Sequence, residues 1–154
     1  MNIKTLRFGE IDLEQESIIF FIDGLLGFED KKKWIIIDNG LLGWIQSIDD
    51  PDLAFVVANP FEFYEDYDFS VNNEDFDLLA LDQKLDVVVL CIVSVPPKVE
   101  NMTMNLLAPL VINSRKKVAK QVILSNERYS VRHYVYNELL KLKDNIEQKE
   151  AVKA

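Results

Sequence analysis

Only one cysteine and one histidine occur in 154 residues, Cys91 and His133. A lone thiol makes no intrachain disulfide, which fits a reducing compartment. Two such ligands also fall short of the roughly four that a structural zinc takes. Glycine and proline are sparse, five of each, and no repeat or low-complexity linker divides the chain. No apolar run approaches the roughly 20 residues needed to span a bilayer; Val87–Val93 is far shorter. The N-terminal Met1-Asn-Ile-Lys-Thr5 has no basic region followed by an apolar one, so no signal peptide is expected and a cytoplasmic location is. Gly24 and Gly27 lack the Lys-Ser/Thr of a phosphate-binding loop. Neither Gly-x-Ser-x-Gly nor a papain-like cysteine context is present.

What is abundant is negative charge in one place. Residues 49–86 hold twelve acids, Asp49, Asp50, Asp52, Glu62, Glu65, Asp66, Asp68, Glu74, Asp75, Asp77, Asp82 and Asp86, against the single base Lys84. That stretch is −11, whereas the whole chain is −9. Such a field repels nucleic acid and attracts basic proteins. No direct nucleic-acid binding and no membrane association are expected. Apolar content of 49% with 28% charged residues fits one folded domain with a real core.

Most of the chain reads as strands. Ile3–Phe8 suits a half-buried strand, and Ser17–Ile22 is a β-branched and aromatic run. Two glycines make a turn of 23–28. Trp34–Ile37 is a buried run closed by Asn39-Gly40. Gly43–Ile48 and Leu53–Ala58 flank Asp49-Asp-Pro-Asp52 and read as a hairpin, with Asp50 accepting backbone N–H groups and Pro51 presetting a type I turn. Phe61–Ser70 interleaves rings with acids and reads as a loop. Residues 73–80 predict a short helix with acids in its first turn. Val87–Val95 predicts a central strand covered on both faces. Leu106–Asn113 and Val118–Leu124 predict a second hairpin, with Pro109 placing the first of these strands at an edge or a bulge. Val135, Leu139, Leu142 and Ile146 recur at helical spacing. The polar residues beyond Glu147 are expected to fray. The fold class expected is mainly β, a compact antiparallel barrel-like single domain with a short internal helix and a C-terminal helix. The β domain takes residues 1–134; the amphipathic helix and tail take 135–154.

Each chemical candidate has a plainer structural explanation. Asp49, Asp50 and Asp52 are accounted for by turn chemistry rather than by a metal or an acid/base pair. His133 lacks an evident nucleophile and orienting acid, and Cys91 sits in an apolar strand where a thiol behaves as a small hydrophobe. No catalytic residue, metal or cofactor is expected; a small hydrolase using His133 or the aspartates is the remote alternative. Lys31–Lys33 and Arg115–Lys117 read as solvated turns. The rings of 61–69 either pin a loop to the core or anchor a partner while the acids steer it.

Three stretches resemble the flagellar assembly factor FliW family: Gly24-Leu-Leu-Gly-Phe-Glu29; Trp44–Phe55 with Asn59-Pro-Phe61; and Asn105–Asn113 with Gln121-Val-Ile-Leu124 and Tyr129-Ser-Val-Arg-His133. The resemblance covers about residues 1–135. The chain departs from the family's habits at Ile22, Asn59 and Tyr134, where Pro, Asp and Pro are usual. The resemblance implies a binding protein of β-barrel-like fold. Its partners would be the RNA-binding translational repressor CsrA, whose repression of flagellin synthesis it relieves, and flagellin, which titrates it away from CsrA. The alternative is a flagellin-specific chaperone without CsrA antagonism. Within the matching motifs, the expected partner-binding positions are Gln46, Asp49, Asp50, Asp52, Asn105, Asn113, Tyr129, Arg132 and His133, with Phe61, Phe63 and Tyr64 as ring anchors. A monomer is expected.

Overall fold

The computed structural model describes residues 1–81 and 86–153. Asp82 and Lys84 of the acidic stretch lie outside the described residues. The strands in chain order are β1 (Asn2–Thr5), β2 (Gly9–Asp12), β3 (Ile19–Phe21), β4 (Lys33–Asn39), β5 (Leu42–Ser47), β6 (Ala54–Ala58), β7 (Val87–Ser94), β8 (Thr103–Met104), β9 (Leu110–Asn113), β10 (Val118–Gln121) and β11 (His133–Tyr134). The helices are α1 (Pro60–Phe63), α2 (Asn73–Leu78) and α3 (Tyr136–Lys153). The α3 backbone stays helical past Glu147 as far as Lys153.

Seven strands close a barrel in the order β7-β6-β5-β4-β3-β10-β9, and β9 pairs back onto β7. β8 and β11 extend the sheet from the end of β7. The mainly β, barrel-like architecture with an internal and a C-terminal helix is therefore present. One pairing departs from an all-antiparallel scheme: β3 and β10 run parallel, with Val118 opposite Phe20 and Ala119 opposite Phe21.

Side-chain alternation along each strand sorts residues between the interior and three outer layers. Phe21, Trp34, Ile45, Val57, Leu110 and Ile112 fill the barrel, with Leu90 and Ile92 packed against them. Each large side chain so buried contributes about 1.5–3 kcal/mol. On the outside, the β1–β2 hairpin lays Ile3 and Leu13 on Ile35 of β4. Around α2, Leu79 and Leu81 cover Val111 and Val122. The third layer, from α1, β8 and α3, buries Cys91 and Val93 of β7 under Phe63, Tyr67, Met104, Val135 and Leu139.

Several expectations need correction. The first strand ends at Thr5, not Phe8, because Thr5 Oγ1 closes a turn by accepting the Phe8 N–H at 2.9 Å and donating to Gly9 O at 2.8 Å. Its hairpin partner β2 is half polar, Gly9-Glu-Ile-Asp12, and carries little strand signal. β7 is covered on both faces only from Leu90 to Val93; Val88 is exposed. β9 begins after Pro109 rather than carrying it at an edge, and β10 stops at Gln121. Residues 60–63 form a helical turn rather than a loop: Asn59 Oδ1 accepts the Phe61 N–H at 3.0 Å, and Pro60 needs no N–H there.

Candidate partner-binding surface

The sequence candidates fall into three places. At the β5–β6 turn, Gln46 is fully buried and holds the turn from within. Its Nε2 donates toward Ser47 O at 3.0 Å, Leu53 O at 3.1 Å and Asp50 O at 3.2 Å. Its Oε1 has no hydrogen-bond partner among the described residues. Asp50 Oδ1 accepts the Asp52 N–H at 3.0 Å, as its turn role requires. Asp49 and Asp52 are exposed. The Leu6 N–H donates to Pro51 O at 2.9 Å, tying this turn to the β1–β2 hairpin.

At the opposite end of β6 lies an aromatic cluster. Phe63 and Tyr67 are buried, and Phe61 is 43% exposed with its ring 5.5 Å from that of Tyr67. The Tyr67 hydroxyl donates to Leu106 O at 2.7 Å, and the Tyr64 hydroxyl donates to Tyr134 O at 2.8 Å. Tyr129 packs edge-on to Tyr67 at 4.7 Å, and its hydroxyl accepts the Asp68 N–H at 2.9 Å. The His133 ring lies between Tyr64 and Tyr129, at 6.1 and 6.3 Å. Its Nε2 accepts the Ser130 backbone N–H at 2.8 Å, and burial lowers its pKa. The Ser130 hydroxyl instead accepts the Arg132 N–H at 3.3 Å. Desolvation pushes the Cys91 thiol up to about 12, and it pushes Tyr64 up to about 12 with the Glu138 charge adding to it. Tyr67 is driven up too, first by burial and then by Cys91. The Tyr64, Tyr67 and Cys91 side chains therefore carry no charge at physiological pH. Asn105 is half-buried, and its Oδ1 accepts the Leu107 and Ala108 N–H groups at 3.1 and 3.0 Å.

The third place is the β9–β10 turn. Asn113 is fully buried. It donates to Leu79 O at 2.9 Å and Ala80 O at 3.2 Å and accepts the Arg115 and Lys116 N–H groups, each at 3.1 Å. It joins α2 to the barrel and presents no surface. The structure thus brings Phe61, Phe63, Tyr64, Tyr129 and His133 together, leaves exposed Arg132 beside them in sequence, and sets Gln46 with its three aspartates and Asn113 apart.

The acids follow the same division. Asp49–Asp52 is separated from Glu62 by the length of β6, roughly 17 Å for five residues. Glu62, Glu65, Asp66, Asp68, Glu74 and Asp77 are all exposed along one segment. That segment starts where α1 packs on β7 and ends where the α2 region covers β9 and β10, so these acids form a belt on the barrel's outer wall. Asp75 points inward instead: it is buried and meets Lys120 Nζ at 2.5 Å. That hydrogen bond raises the Lys120 pKa. This pair was not legible beforehand, since an acid in a first helical turn reads as a dipole partner. Its spacing of four from the apolar Leu79, which puts both on one helix face, is the local signal that points it inward. Among the described residues, no three His, Cys, Asp or Glu side chains converge as a metal requires, and no helix is long and apolar enough to cross a membrane.

The FliW protein family model matches residues 2–135. A flagellar assembly factor FliW of Alkaliphilus metalliredigens is 41% identical over 152 residues, covering 96% of this chain and 94% of its own. The one from Caldicellulosiruptor bescii is 40% identical over 139 residues, covering 89% and 91%. A crystal structure of the flagellar assembly factor FliW superposes with a TM-score of 0.84 at 30% identity, covering 88% of this chain and 97% of that one. With this barrel, these motifs and relatives of matching length, the chain belongs to the FliW family of flagellar assembly factors.

Proposed function

We propose that this chain is a non-enzymatic, cytoplasmic assembly factor that binds the translational repressor CsrA, relieves its repression of flagellin synthesis, and exchanges CsrA for flagellin. The observation that carries the reading is the acidic belt along residues 62–77. Six exposed carboxylates along one segment raise the encounter rate with a basic, RNA-binding protein. Held beside that protein's RNA site, they also repel phosphates. The buried rings of Phe63 and Tyr67 keep the belt in place, because each pins its segment to the outer core.

The test is RNA binding by CsrA to a flagellin leader, measured with and without this protein. RNA affinity should fall as the protein is added at physiological salt. Unchanged affinity sinks the reading. Separate pull-downs with CsrA and with flagellin distinguish it from a chaperone for flagellin alone, which would capture only the second.

A further inference from the structure

One turn holds apolar side chains in water and is pinned so that they stay there. Leu26 is 52% exposed within Gly24-Leu-Leu-Gly-Phe-Glu29. Gly24 has φ +65°, and a Cβ there would meet Phe28 O at 2.6 Å, so the chain packs against itself at that point. Leu25 and Phe28 bridge each other. The Leu26 N–H donates to Gln121 Oε1 at 2.8 Å, and the Gly27 N–H donates to Glu29 Oε1 at 3.2 Å. Gln121 is itself fixed by donating to Ala108 O at 3.2 Å. Across a cavity of about 350 Å³ from Leu26 stands Ile123, 62% exposed. A single exposed apolar side chain is ordinary, but here a fixed loop and a strand end put two of them on one cavity, where an apolar group could cover both.

The charge around this cavity is negative. Asp23, Glu29 and Asp75 line it with Lys120, whose ammonium is already held by Asp75 and lies 3.8 Å from Asp23. Asn72 and Asp75 of the α2 region form one wall, so the cavity opens at the end of the acidic belt.

We propose that the cleft between Leu26 and Ile123 receives an apolar side chain of the basic partner, from a segment carrying Lys or Arg beside it. The belt steers that segment and the cleft anchors it. This rests on the reading that the partner is CsrA, because the negative lining favours the basic partner of the two.

The test uses the full chain with Leu26→Ser and Ile123→Ser together, titrated with CsrA and separately with flagellin. CsrA affinity should drop at least about tenfold, flagellin affinity should hold, and the thermal midpoint should stay unchanged because both side chains are exposed. On wild-type protein, the Leu26 and Gly27 amide signals should shift on adding CsrA, a readout that needs no variant. CsrA binding of the double variant at wild-type affinity, or unshifted amides, overturns the cleft and leaves the CsrA reading standing. Equal loss of flagellin binding overturns the assignment to the basic partner. Wild-type protein that fails to bind CsrA overturns both.

Discussion

Two glycines three residues apart separate backbone strain from collision. Gly24 and Gly27 both hold positive φ, +65° and +86°, but only Gly24 faces backbone atoms, whereas nothing lies within 4 Å of a Cβ on Gly27. Gly27→Ala should cost about 1–2 kcal/mol, the left-handed penalty alone. Gly24→Ala should cost more, about 3 kcal/mol, since Phe28 and Glu29 must move as well. Urea midpoints of the two variants check the order. His133 gives a second residue-scale prediction. Burial lowers its pKa in the fold below the ordinary 6.5, so the unfolded chain binds the proton more readily. The associated stability is full above pH 6.5 and is lost as pH falls through the folded-state value. Protonation also removes the acceptor that Ser130 N–H uses. Stability should therefore hold above pH 6.5 and decline below it, ahead of the range where carboxylates near pKa ~4 titrate. Chemical denaturation of His133→Gln across that window should show the slope gone.

At the scale of elements, α2 is fastened to β10 by one ion pair. Asp75 is buried, and the Lys120 side chain is only 23% exposed. Lys120→Met leaves a buried carboxylate without its cation and should cost about 3 kcal/mol; adding Asp75→Asn should recover most of that. A double-mutant cycle in urea measures the coupling. Elements with strong local chemistry were legible in the sequence. The β5–β6 hairpin follows from Asp-Asp-Pro-Asp, α2 from its acidic start, and β7 from its β-branched run. Elements fixed by distant contacts were not. β2 is polar and exists because Ile11 leans on the β1 layer over β4. The parallel β3–β10 pairing joins Phe20 to Val118 through nothing that a local pattern records. For the candidate surface, the rings of 61–69 and the acids around them were readable as a set. The burial of Gln46 and Asn113 was not, because a polar residue at a hairpin end looks the same whether it faces water or four backbone groups.

Over the whole molecule, the C-terminal helix divides into a part that covers the barrel and a part that does not. Val135, just before α3, and Leu139 within it are buried in the layer over β7, Leu142 packs against it partly, and Ile146 is 43% exposed. Leu139→Ala should cost about 2–4 kcal/mol. Ending the chain after Asp144 should change stability by less than about 0.5 kcal/mol, the usual range for surface changes. Thermal and urea unfolding of both variants tests this division of the helix.

Barrel closure also has a consequence during synthesis. The meander β3–β6 is finished at Ala58, yet both of its edges wait: β6 for β7, which starts at Val87, and β3 for β10, which ends at Gln121. At 5–20 residues per second, a ribosome takes on the order of 3–12 s to supply the missing strands. For that interval each nascent chain carries two open strand edges, a template for pairing with its neighbours on the same message. The residues that emerge directly behind β6 are the acidic ones. Like charge beside an open strand edge disfavours pairing between neighbouring chains, so the same acids sit where the unfinished barrel is most open to it.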